Sequence, residues 1–134
     1  GVCRGRTHQY YTHGFDELGA AVDRVVDRFA HPVSCRPTQH PHSDHWPFVA
    51  RGVPAVLVSS DDGDRGRGWG HTRADTLDKL ERRTLREGAI LLTALVADLA
   101  ATGRIARRDP DDVAADLERE DLAAGMRATG DWPF

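Results

Sequence analysis

Ser43-Asp44-His45-Trp46-Pro47-Phe48-Val49-Ala50-Arg51-Gly52-Val53-Pro54-Ala55-Val56-Leu57-Val58 is the stretch on which the fold reading turns. A polar residue able to cap a helix, Ser43 or Asp44, is followed by Pro47 in a first turn and by Gly52 as a stop, which predicts a short helix. The apolar, β-rich run 53–58 that follows predicts a strand buried on both sides.

The pattern extends outward in both directions. Phe15, Leu18, Val22, Val25, Val26 and Phe29 recur at helical spacing opposite Asp23, Arg24, Asp27 and Arg28, so a helix is expected from Asp16 to the residues before Pro32. Asp16 and Glu17 suit its start, where carboxylates meet the positive end of the helix dipole. Residues 1–14 predict a loop with one strand at most, and the proline-rich 31–42 predicts a loop. Residues 59–70 are polar and glycine-rich. Beyond them Asp75 or Thr76 is a second capping candidate, and Leu85, Ala89, Leu92, Leu95, Val96 and Leu99 predict a long helix closed by Gly103. Asp109-Pro110 starts a further helix with Val113, Leu117 and Ala124 on a thin face, and Trp132-Pro133-Phe134 offers an aromatic anchor.

One or two strands cannot bury two long apolar helices. The expectation is therefore α/β: part of a layered domain, residues 1–103, with a helical C-terminal extension, residues 104–134. An incomplete sheet leaves strand edges and apolar helix faces, so a homo-oligomer is expected as an available partner state.

Composition narrows the class. With 134 residues, 40% hydrophobic, 29% charged and a net charge of −3, the chain suits one small domain and neither disorder nor attraction to nucleic acid. Lys79 is the single lysine among 18 basic residues, a bias that fits a GC-rich coding sequence. No run approaches the roughly 20 apolar residues of a membrane span. Cys3 and Cys35 are too few for a disulfide framework; two unrelated thiols are expected ahead of a pair. No signal peptide is visible, and the sequence opens on Gly1 rather than Met, which leaves the compartment open with the cytoplasm ahead of secretion.

Five of the seven histidines lie between His31 and His71. The densest patch, His40-x-His42-x-Asp44-His45, offers the imidazoles and carboxylate that zinc prefers. Its six letters resemble the metal motif of metallo-β-lactamase-like hydrolases. The likeness ends there, because no histidine follows His71 and Trp46-Pro47-Phe48 stands where that family has a glycine pair.

A longer series of motifs resembles a different family. Ser43-Asp44-His45-x-Pro47-Phe48, Arg51-Gly52-Val53-Pro54-Ala55, the strand, then His71-Thr72-x-x-Asp75-Thr76 and a long apolar helix are similar, in order over residues 12–101, to the C-terminal part of the co-catalytic zinc exopeptidases. That is metallopeptidase family twenty-eight, which includes aminopeptidases and has glutaminyl cyclases as relatives. The resemblance implies a partial three-layer α/β/α zinc-exopeptidase-like domain with a mixed sheet. It implies a hydrolase that cleaves peptide or small amide bonds with water activated by two zinc ions.

By the same resemblance His71 is a metal ligand, and Asp44, His45 and Phe48 lie beside the substrate pocket. Asp75 either orients His71 or caps the following helix, with capping favoured. Read as plain structure, Ser43 and Asp44 cap the short helix, Phe48 is core, and His40 and His42 are solvated. The family commonly has Tyr before the ligand histidine; Gly70 stands there, with Trp69 one place back. No catalytic residue is assigned in this chain. The general-base Glu and the other ligands are expected upstream, so the chain alone is expected to be inactive. A non-enzymatic α/β interaction domain descended from the peptidase is the third reading.

Overall fold

A computed structural model describes residues 7–60 and 70–134. Cys3, Trp69 and most of the polar segment 59–70 therefore lie outside the described residues. Three strands form a mixed sheet in the order β2-β1-β3: β1 His8–Tyr11, β2 Val33–Arg36 and β3 Leu57–Ser60. β1 runs parallel to β2, with His8 opposite Val33, and antiparallel to β3, with His8 opposite Ser60. The helix α1, Asp16–Phe29, links the parallel pair as a βαβ unit and packs against β2 and α3.

β2 corrects the loop expected over 31–42. Pro32 and Pro37 bracket the four residues and hide them as a strand signal, yet neither proline lies inside the ladder, and β2 is an edge strand that tolerates such neighbours. The strand expected at 53–58 begins four residues later, because Val53-Pro54-Ala55-Val56 take no part in the ladder before Leu57 and the Val53 amide is held by the Phe48 carbonyl. The short helix α2 is Trp46–Val49 with Pro47 in its first turn, as expected.

Ser43 and Asp44 do not cap α2. Ser43 sits at φ 104°, and its main-chain carbonyl, followed by that of His45, accepts the first amides of the turn. No side chain caps the helix. Phe48, a core candidate, is exposed instead.

The long helix α3, Arg82–Thr102, starts after a 3-10 turn at Leu77–Lys79, with Glu81 rather than Asp75 or Thr76 at its N-cap. Its inward residues are Thr84, Leu91 and Leu95, whereas Leu85, Leu92 and Val96 are exposed. The segment 89–100 is apolar nearly all round, so periodicity alone did not select the buried face. Leu91 and Leu95 meet Tyr10, Ala21, Val22 and Val25 in one core between α1, α3 and the sheet. Arg24 of α1 adds a two-pronged ion pair to Asp98 of α3.

In the tail, α4 is Pro110–Arg119, and Asp109 accepts the amide of Asp111 as its cap. The sequence marked one tail helix; a second, α5, spans Ala123–Thr129. Ala123, not Ala124, is the buried residue there. Val113, Leu117, Ala123 and Met126 join Phe15, Leu18, Trp46 and Val49 in a second core. Trp132 packs against that core under the Arg127 guanidinium, 4.1 Å from its ring centre.

Gly52 shows how tightly the tail is joined to the body. It adopts φ 67°, its carbonyl accepts the Arg108 amide at 3.0 Å, and an added Cβ would meet the Arg108 carbonyl oxygen at 1.9 Å. Only glycine fits there.

Candidate functional site

In open α/β sheets, ligands sit beyond the carboxyl ends of the parallel strands. Here β1 and β2 bring Tyr11, Thr12 and His13 together with Gln39 and His40 at that end, and the loop to α2 adds His45. The His13 ring stacks on His45 with centroids 4.7 Å apart, and Tyr11 lies 4.9 Å from the His40 ring. His13 is wholly buried, and neither of its ring nitrogens nor those of His45 finds a well-formed hydrogen bond.

Burial, with the neighbouring His45 and His40 acting in the same direction, lowers the His13 pKa to about 3. Burial likewise lowers His45. Both imidazoles are therefore neutral at physiological pH.

This ring cluster is held by the chain on either side. His13 and Gly14 take left-handed backbone angles at a sharp turn out of β1. The buried His13 carbonyl accepts from Arg108 Nη1 at 2.6 Å and from Gln39 Nε2 at 3.2 Å. Gln39 Nε2 also donates to Asp116 Oδ2 at 3.0 Å, and its amide donates to Glu120 Oε2 at 2.8 Å. Asp116 is buried and takes Arg108 Nη2 at 2.9 Å and Arg119. Burial by itself raises the Asp116 pKa, but the Arg108, Arg119 and Gln39 donors outweigh it and leave the carboxyl below its ordinary value. The tail thus braces the loop that carries the candidate pocket residues.

The sequence-derived residues are placed as follows. His45 lies in the ring cluster, Asp44 is exposed beside it, and Phe48 presents its ring outward on α2. His40 Nδ1 bonds the His42 carbonyl at 3.2 Å, and His42 is exposed. The His40-x-His42-x-Asp44-His45 donors do not converge on a point; among the described residues one other group does, discussed below.

His71 is exposed at φ 63°. Asp75 accepts the His71 main-chain amide at 3.4 Å, which closes the turn, and it caps no helix. The His71 imidazole itself is left accessible, with no hydrogen bond to a described residue.

A family model described as Peptidase family M28 matches residues 4–96. The chain belongs to that family. No curated protein and no solved structure gave a match. Membership makes it peptidase-like at the level of the family, a hydrolase family whose members are typically zinc-dependent. The M28 assignment covers β1 through most of α3, including the Ser43–His45 loop and the His71 turn.

The residues present fit zinc in part. His71 is an accessible imidazole on a turn closed by Asp75, which suits one ligand position. A single imidazole is short of the four donors that zinc takes. Sequence reasoning missed His13, Gln39, Arg108 and Asp116. Their only signals were lone polar letters, and their convergence depends on residues 77 to 95 positions apart.

Proposed function

We propose that this M28 chain forms the C-terminal part of a three-layer zinc aminopeptidase-like domain and supplies His71 to a two-zinc centre. The other ligands and the general-base Glu come from residues that these 134 do not include, so the chain alone is inactive. The observation that carries the reading is the accessible His71 imidazole on a turn closed by Asp75, within the segment matched by the family. With the upstream ligands His71 would hold a zinc ion, and the chemistry supplied there would be a lowered pKa of bound water and a polarised scissile carbonyl.

This chain's own part is positional. The Asp75 carboxylate accepts the His71 amide and so restrains the turn that carries the imidazole. His45, stacked on neutral His13, and the outward Phe48 ring form a wall for an apolar side chain of a peptide or small amide. Asp44 lies exposed beside them as a polar contact for the same substrate. The proposed substrate excludes nucleic acid, and the proposed setting is not a membrane; among the described residues no helix is long and apolar enough to cross one.

The exposed stripe Leu85, Leu92 and Val96 on α3 supports the partial-domain reading, because a completed domain or a second copy covers such a face. The same stripe favours the second reading, a non-enzymatic interaction domain. The reading based on His40, His42, Asp44 and His45 has less support, since those donors are spread over an open loop.

The test is a longer product or a complex that carries the remaining ligands, assayed on aminoacyl anilides with zinc. The catalytic reading expects hydrolysis that falls by at least about 100-fold in His71→Ala. Hydrolysis unaffected by His71→Ala, or zinc-replete protein with no hydrolysis at all, removes it in favour of the interaction domain.

A further inference from the structure

The opposite end of the sheet holds a second set of donors. His8 opens β1, His31 stands just before β2, and Glu87 lies on α3; one ligand atom from each falls within 4.8 Å of the others. The His31 Nε2–Glu87 Oε2 distance is 3.8 Å, and the His8 and His31 ring centres are 5.8 Å apart. We infer that His8, His31 and Glu87 form a binding site for a zinc-type divalent ion, separate from the His71 centre.

Three observations carry it. His8 is 2% exposed, and neither of its buried ring nitrogens makes a well-formed hydrogen bond, the Thr84 backbone being the hydrogen-bonding group that acts on the ring. A buried polar group in that condition is destabilising unless something satisfies it. Second, α3 is shaped to the ring. Gly88 stands against it, and an added Cβ would lie 2.9 Å from His8 Cε1.

Third, Arg83 holds the carboxylate that presents the ligand oxygen. Arg83 Nε donates to Glu87 Oε1 at 2.7 Å, which fixes the carboxylate and leaves Oε2 toward His31.

Two imidazoles and a carboxylate select a borderline ion such as zinc over magnesium or calcium. Zinc ligands about 2.0–2.1 Å from the ion place donors roughly 3.3 Å apart. The three side chains therefore need only small rotations to close on it, with water in the fourth position. The ion would tie the starts of β1 and β2 to α3. This inference does not rest on the catalytic reading, because His71 is not in the donor group.

Zinc titration of the intact chain by calorimetry, with melting followed in parallel, tests it. The expected result is one zinc per chain, a higher Tm with zinc, and at least about tenfold weaker binding in both His31→Ala and Glu87→Gln. His42→Ala, a change on an exposed loop outside the donor group, is expected to retain the wild-type affinity. His8→Ala removes a buried ring and is open to misfolding, so the two partly exposed ligands carry the test. No zinc uptake by the wild-type chain overturns the inference. So does uptake that survives both His31→Ala and Glu87→Gln, or that is lost in His42→Ala instead.

Discussion

Replacing Asp116 by Ala leaves the Arg108 guanidinium without its carboxylate, and Arg108 and Gln39 keep only the His13 carbonyl as a shared acceptor. Breaking a buried pair in this way costs about 3–5 kcal/mol, so urea unfolding should show Asp116→Ala losing stability on that scale. Arg119, mostly exposed, reaches the same carboxylate, and Arg119→Ala should cost under about 1 kcal/mol. Equal losses in the two variants would contradict the assignment of Arg108 as the main partner. Gly88 gives a second test at the same scale. Helix propensity favours Gly88→Ala by about 1 kcal/mol, but overpacking against the enclosed His8 ring costs about 1–3 kcal/mol. A net loss is expected in thermal melts, and a gain would mean that His8 is not held where it lies.

Among the elements, α3 is where sequence and structure part most clearly. Leu91 is buried between α1 and the sheet while its neighbour Leu92 is exposed. Leu91→Ala should therefore cost about 2–5 kcal/mol and Leu92→Ala under about 0.5 kcal/mol, read from denaturant midpoints. The reverse order would restore the face that periodicity suggested.

The α1 helix was legible because its apolar positions 18, 22 and 25 face a strongly charged side. Asp109-Pro110 and Gly103 were legible because caps and stops are local chemistry. β2 was not, since four residues between two prolines become a strand only when β1 offers its hydrogen bonds. The candidate site divides along the same line. Ser43–His45 and His71 are contiguous motifs, whereas the brace of His13, Gln39, Arg108 and Asp116 is assembled from three distant segments.

Across the whole molecule, the neutral buried histidines make stability depend on pH. His13 binds its proton at about 3 when folded, against an unfolded value near 6.5. Above about pH 6.5 both states are neutral and nothing is lost. As pH falls from there toward 3, the unfolded chain takes up a proton that the folded one refuses, so stability drops through this window. His45, also lowered by burial, adds to the same slope. Asp116 acts further down: its depressed pKa contributes stability above about pH 4 that is lost as pH falls through the folded value. Urea midpoints from pH 8 to pH 4 should be flat at first and then fall, and His13→Gln should flatten the decline. A midpoint that stays constant down to pH 4 would contradict the buried, neutral His13.

The central claim is that this member of the M28 family carries one ligand of a catalytic centre and not the whole of it. The most direct measurement is hydrolysis of an aminoacyl anilide by the isolated, folded chain in excess zinc. No turnover above the zinc-only blank is expected, with the fold intact by circular dichroism. Zinc-dependent turnover by the isolated chain, lost in His71→Ala, would contradict the claim by showing that these residues complete the site themselves.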